Sequence, residues 1–288
     1  MDYNNPQMTD VYNIEECHSS ENEDSTCLSR LLSKGAKNEI AIETNYVWNV
    51  SIDRGQLLLY SIHVHLLCDF QIEPMQTLKL KFGRKQIISL WGIENTVMID
   101  EIKYHSCVEY SNHGDHDIIS FIPPNTRFEL LSYKVNLENL PPPILIKVIV
   151  KRCDSLREEY LVKVASTLRK EISLNDVKIH FPVPSHITYL LLDTCDGSAR
   201  YIAESDKITW SIPDMPGQDD YQLTIGFDPP FIANRRVIQG KPRISVDFIA
   251  YGLMIPELPN GLNKTAEEAD IEIWNNSKHQ PGLYHVTF

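Results

Sequence analysis

Ile119-Ser-Phe-Ile-Pro-Pro-Asn-Thr-Arg-Phe-Glu-Leu-Leu-Ser-Tyr-Lys-Val135 sets two apolar runs around a turn built on Pro123, Pro124 and Asn125. In the second run Phe128, Leu130 and Ser132 alternate with Glu129, Leu131 and Tyr133. Alternation with a period of two is the mark of a strand, since successive side chains point to opposite faces. The two prolines remove backbone donors and bend the chain between the runs. The segment therefore predicts a strand, a proline-bent turn and a second strand, a hairpin belonging to the framework of a β-domain.

The chain around it reads the same way. Short alternating or β-branched runs are predicted as strands at Glu39–Val50, Gln56–Cys68, Leu78–Phe82, Ile87–Leu90, Thr96–Tyr110, Ile118–Ile122 and Arg127–Val135. Further runs follow at Ile144–Lys151, Tyr160–Thr167, Asp176–Pro182, His186–Leu192, Ala199–Ala203, Lys207–Ile212, Tyr221–Phe227, Arg243–Ala250 and Leu283–Phe288. Turn signals such as Asp53-Arg-Gly55, Asp196-Gly197 and Pro216-Gly217 separate them. Many short strands broken by Pro and Gly predict an all-β fold of sandwiches. Ser166–Ser173 is the one stretch that reads as a helical turn. Pro141-Pro-Pro143 reads as a stiff hinge between subdomains.

Residues 1–36 stand apart. Through Thr26 they hold seven acidic residues and no Lys or Arg. This composition predicts an acidic, disordered linker or tail.

Composition removes several functions. The 288 residues carry 27 basic and 39 acidic side chains, a net charge of −12. Nucleic-acid binding depends on neutralising phosphates, so an acidic chain argues against it. Six cysteines, Cys17, Cys27, Cys68, Cys107, Cys153 and Cys195, are scattered without a Cys-x-x-Cys pair. That pattern suits reduced cytosolic thiols rather than a disulfide framework. No signal peptide is predicted, and the longest apolar runs are strand length, too short to span a bilayer. No Gly-x-Ser-x-Gly, phosphate-cradling loop, Gly-x-Gly-x-x-Gly or His-Glu-x-x-His is present. Catalysis is not expected, and a β-sandwich enzyme is the remote alternative. His63-Val-His65 with Cys68 could put two imidazoles on one strand face, as metal sites do. No second cluster has matching spacing, so neither a metal nor a cofactor is expected.

The order of several motifs is more specific than any one of them. Asn38-Glu39 opens a strand and Arg54-Gly-Gln-Leu57 follows it. His105-Ser-Cys-Val108 precedes the Phe121-Ile-Pro-Pro124 segment. Ile179-His-Phe-Pro-Val-Pro184, Ile208-Thr-Trp-Ser-Ile212 and Trp274, eight residues before Gly282-Leu-Tyr284, complete the series. Together they resemble the carboxy-terminal mu homology domain of clathrin-adaptor medium (mu) subunits. The resemblance implies an all-β domain over residues 37–288, made of two β-sandwich subdomains. Subdomain A would comprise 37–136 and 250–288, with subdomain B, 137–249, inserted.

The resemblance also implies a function and a site. Such domains bind Tyr-x-x-Φ sorting peptides extended along an edge strand, main-chain bonds giving affinity and two side-chain pockets giving specificity. Carried over, the tyrosine pocket would have Trp274 as a wall, Ala41 where the family has an aromatic and Glu43 in place of an aspartate. Asn276 replaces an arginine, and Asp69 falls near a basic position. The Φ pocket would be lined by Ile40, Ile42, Ile255 and Ile273, with Asn275 replacing an aliphatic. Losing one aromatic face costs about 0.5–1.5 kcal/mol and losing a stacked arginine ~1 kcal/mol more. A deficit of about 2 kcal/mol weakens binding roughly 30-fold, so ordinary Tyr-x-x-Φ binding is expected to be weak or absent. Read alone, Glu43 is an edge-strand carboxylate and Trp274 a packing residue; only the spacing to Gly282 favours a ligand wall.

The partners implied are a cytosolic sorting peptide of membrane cargo or of an accessory protein, and the other adaptor subunits. Lys79, Lys81, Arg84 and Lys85 form a short basic run. It reads either as a solvated strand end or as a contact for phosphoinositide headgroups on a membrane surface. The expected location is cytoplasmic, peripheral on Golgi or endosomal membranes or clathrin-coated vesicles. The alternative within the resemblance is an endocytic scaffold of the stonin or F-BAR-linked type that binds folded partners.

Overall fold

The computed structural model describes residues 38–72, 77–83, 85–113, 116–124, 126–137, 139–153, 157–228, 243–251, 262–264 and 272–288. The acidic segment 1–36 and Ile255 lie outside the described residues, as does Arg84.

The first two strands are the longest and set the frame. β1 (Asn38–Asp53) and β2 (Gln56–Ile72) pair antiparallel around the Arg54-Gly55 turn. Next come β3 (Leu78–Gly83), β4 (Lys85–Ile88), β5 (Asn95–Tyr104), β6 (Val108–His113), β7 (His116–Phe121) and β8 (Phe128–Asn136). β9 (Ile144–Cys153), β10 (Glu158–Ser166), β11 (Ser173–Pro182), β12 (Leu190–Thr194) and β13 (Ser198–Ile202) follow. A short 3-10 turn, Ala203–Ser205, leads to β14 (Lys207–Pro216) and β15 (Asp220–Phe227). The described chain ends with β16 (Arg243–Tyr251), β17 (Leu262–Lys264) and β18 (Glu272–Thr287). The structure is all-β, as the strand pattern predicts.

These strands make three sheets. A ten-stranded sheet runs β13-β14-β11-β16-β18-β1-β2-β8-β5-β4. Two four-stranded sheets, β12-β15-β10-β9 and β17-β3-β7-β6, complete the set. β18 pairs parallel to β1 over fifteen residues and antiparallel to β16.

Alternation along the first hairpin feeds two cores. Ile40 and Ile42 of β1, with Leu66, Cys68 and Phe70 of β2, enter a smaller core. Tyr46, Trp48 and Val50, with Tyr60, Ile62 and Val64, enter a larger one that also contains Trp210, Phe227 and Phe248. One pair of strands is thus shared by both cores, and Tyr133 packs against each. Burial pushes the Tyr133 phenol above its ordinary range. Inside the larger core Trp48 Nε1 donates to His279 Nδ1 at 3.2 Å, and Tyr46 stacks on the same imidazole at 4.2 Å between centroids. Because the indole can only donate, that His279 nitrogen is the unprotonated acceptor.

Three sequence expectations need correction. β7 and β8 do not form a hairpin: β7 pairs with β3 and β6, whereas β8 pairs with β2 and β5. The Ile122-Pro-Pro bend carries the chain from one sheet to another, and Pro123 is buried. Proline has no N–H for a ladder between the two strands, so the bend ends one sheet and enters the next. Within β8 the alternation slips, because Leu66 pairs with Leu131 but Leu67 with Glu129. The bulge leaves Leu130 and Leu131 both buried, at 2% and 4% exposure, instead of on opposite faces. Finally, Ser166–Ser173 holds a turn closed by Ile172 N–H donating to Arg169 O at 3.0 Å, with no helix.

The triple proline is clamped. Tyr60 Oη donates to Pro141 O at 2.8 Å and Thr167 Oγ1 to Pro142 O at 2.7 Å. Thr167 N–H donates to Pro143 O at 3.0 Å. Just beyond, the buried Tyr284 hydroxyl accepts from Ile144 N–H at 3.1 Å and donates to Ile144 O. Each carbonyl of the connection is held, so it joins its neighbours rigidly.

Candidate functional site

The edge of the ten-stranded sheet's centre positions the site. β16 lies against β18 at Arg243–Ser245 and again at Ala250 and Tyr251, which pair with His279 and Lys278. Among the described residues, no strand pairs with the outer edge of β18 from Glu272 to Ser277, while its inner edge is held by β1.

Register builds the site on that edge. Ala41 of β1 stands between Trp274 of β18 and Asp69 of β2. In the next row Glu43 stands between Asn276 and Leu67, and on the other side Glu39 stands between Glu272 and Gln71. A fourth row places Asn45 between Lys278 and His65. Glu39, Ala41, Glu43 and Asn45 share one face of β1 because side chains alternate. The backbone thus brings together Ala41, Glu43, Asp69, Trp274 and Asn276, which lie far apart in sequence. The side chains of Ile273 and Trp274 lie outside the described residues.

The aliphatic residues turn the other way. Ile40 and Ile42 are 0% and 5% exposed and belong to the smaller core. A ligand side chain meets them only by entering that core from the strand edge. Asn275, in register with Ile42, is exposed.

Two side chains that the sequence reading did not single out join the site. Arg127, from the loop after the Pro-Pro bend, forms an ion pair with Glu43. Asn45 Nδ2 donates to the other Glu43 oxygen at 3.1 Å. Arg127 thus brings a cation to Glu43 from a different element than the one carrying Asn276. Arg127 is 42% and Glu43 31% exposed, and an exposed pair of this kind contributes about 0–1 kcal/mol. The second addition is Glu39, only 4% exposed, whose Oε2 is buried without a hydrogen-bond partner. Period-two alternation from Ala41 would have found Glu39; nothing local in the sequence points Arg127 at Glu43.

Beneath the site, burial and then the charge of Asp69 push the Cys68 thiol up to about 12, so it stays protonated. On the same sheet face His65 Nδ1 lies 3.0 Å from Glu129. Burial pulls the Glu129 carboxyl upward, but hydrogen bonds from Ser132 and His65 outweigh it and leave the group below its ordinary range. Of the basic run, Lys79 on β3 and Lys85 on β4 are exposed, on strands of different sheets. Nothing is described of the Lys81 side chain.

The described body is thus an all-β domain whose β18 edge has no described strand partner beside a polar row. Residues 28–258 match the adaptor complexes medium subunit family, and the chain belongs to that family. It is 31% identical over 218 residues to the AP-1 complex subunit mu-2 of Bos taurus, covering 75% of this chain and 51% of the relative. It is 33% identical over 153 residues to the AP-1 complex subunit mu of Dictyostelium discoideum, covering 53% and 35%. The chain thus spans about half the length of the first of these relatives. Among solved structures, the Fcho1 mu homology domain of Danio rerio with bound Eps15 peptide superposes with a TM-score of 0.64 at 13% identity, covering 88% of this chain and 98% of that one. The yeast delta-COP-I mu-homology domain complexed with a Dsl1 WxWxV peptide gives 0.57 at 14% identity, covering 86% and 98%. The fold is that of the mu homology domain.

Proposed function

We propose that this domain binds an extended cytosolic peptide, from a membrane cargo protein or an accessory protein, along the outer edge of β18 at Glu272–Ser277. It would do so as part of an adaptor-type sorting coat with other adaptor subunits, on the cytoplasmic face of Golgi or endosomal membranes or clathrin-coated vesicles. The observation that carries this reading is the register that sets Trp274, Ala41 and Asp69 side by side next to an edge with no described strand partner. Strand addition gives affinity through main-chain bonds, and the neighbouring side chains select the sequence. The relatives found by sequence are adaptor mu subunits, which favours a coat subunit over the endocytic-scaffold reading.

The site is altered for the tyrosine signal. Ala41 offers no ring face, and Asn276 no cation. A Tyr-x-x-Φ peptide is expected to bind at least tenfold more weakly than low-micromolar, consistent with a deficit of about 2 kcal/mol. Fluorescence titration measures this; low-micromolar binding abolished by Trp274→Ala would sink the altered-pocket reading. The edge itself is tested by amide hydrogen exchange, which slows at 272–277 when a bound peptide adds a strand. A bound peptide that leaves those amides unprotected is docking elsewhere.

A further inference from the structure

We propose that the slot over Ala41 takes a basic side chain, lysine or arginine, of the bound peptide. This rests on the edge-strand reading above and names the residue class that the site selects.

Three carboxylates surround one methyl group. Glu39 and Glu43 lie two residues either side of Ala41 on the same face, each about 7 Å away along the strand. Asp69 is directly opposite on β2, with Cβ atoms roughly 5 Å apart. Glu43 is already held by Arg127 and Asn45. Glu39 and Asp69 have no cationic partner among the described residues. Glu39 Oε2 is moreover buried with no hydrogen bond. A buried carboxylate oxygen without a donor is costly, and a cationic donor is the group that relieves it most.

Side-chain size points the same way. Ala41 carries only a methyl group and is partly exposed. The aliphatic stem of a lysine or arginine can lie over that methyl while its head reaches Asp69 and Glu39. A tyrosine ring brings no charge, and an acidic residue meets like charge. The competing account is that Glu39 and Asp69 are incidental carboxylates of a strand pair, in which case neutralising them changes no affinity.

The test uses fluorescein-labelled nine-residue peptides that differ at one position, Arg, Lys, Tyr or Glu, with leucine three residues on. Anisotropy titrations against the 288-residue chain are run at low and high salt. The Arg and Lys peptides are expected to bind on the order of tenfold more tightly than the Tyr peptide, with Glu weakest. Salt is expected to shrink that advantage. Glu39→Gln and Asp69→Asn should each weaken the Arg peptide by roughly five- to tenfold, a larger loss than either causes for the Tyr peptide. Asp69 is only half-buried, so Asp69→Asn serves if Glu39→Gln fails to fold by circular dichroism. A Tyr peptide that binds as well as Arg, or an Arg peptide indifferent to either folded variant, overturns the basic-residue proposal and leaves the edge site standing. Failure of every peptide to bind overturns both.

Discussion

Tyr284 is 2% exposed, and its hydroxyl serves both backbone groups of Ile144. Burial holds the phenol well above its ordinary range, so it remains a neutral donor and acceptor at any physiological pH. Tyr284→Phe keeps the ring against Phe248 but strands a buried N–H and C=O. The expected cost is about 1–3 kcal/mol of stability, read from the urea midpoint at unchanged slope. A shift worth under half a kcal/mol would mean that water or a backbone adjustment replaces the hydroxyl. At this scale the sequence was uneven in what it disclosed. Ala41, Glu43, Asp69, Trp274 and Asn276 could be placed by motif order before any fold was known. Arg127 could not, because the loop that carries it meets β1 only through the crossing of two sheets.

Among the elements, β18 carries the most constraint. Its pairing with β1 slips between Trp48 and Asn49, where Pro281 and Leu283 are partners and Gly282 is the extra residue. A Cβ on Gly282 would lie 2.6 Å from Val47 Cγ1 and 2.7 Å from Asn49 Oδ1, whose oxygen accepts from Leu283 N–H. Gly282→Ala must therefore displace the Val47 and Asn49 side chains and disturb that bond. We expect it to destabilise by roughly 1–3 kcal/mol, measured by thermal or urea denaturation. A neutral result would show that the bulge relaxes at no cost. The spacing from Trp274 to Gly282 was visible in sequence, whereas the bulge that explains the glycine was not. The same limit caused the two strand errors. Alternation shows that β7 and β8 are strands, but pairing is a tertiary fact, and Pro123 and Pro124 suit a sheet crossing as well as a hairpin. The Leu130-Leu131 bulge breaks period two in a run that reads as regular, because the partner strand β2 dictates the slip.

For the described body as a whole, the ten-stranded sheet ties the two cores together. β1 and β2 each give one half to the smaller core and the other half to the larger. Unfolding one core would fray strands that hold the other, and the clamped prolines add a second tie. A single calorimetric transition is expected, with van't Hoff and calorimetric enthalpies in agreement. Two resolved transitions would show that the cores unfold independently. The fold class was legible because strand runs, turn residues and motif order all agreed. The shared sheet was not, since nothing local says that the last strand lies beside the first.

That adjacency of β1 and β18 has a consequence for how the protein is made. Residues 38–53 leave the ribosome more than two hundred residues before their parallel partner, 272–287. Until then the nascent chain presents a sixteen-residue strand paired on one side only. Co-translational folding can complete the hairpin and its local neighbours, yet the sheet closes only after the segment bearing Trp274 and Gly282 emerges. A message truncated before residue 272 leaves that strand edge permanently unpaired.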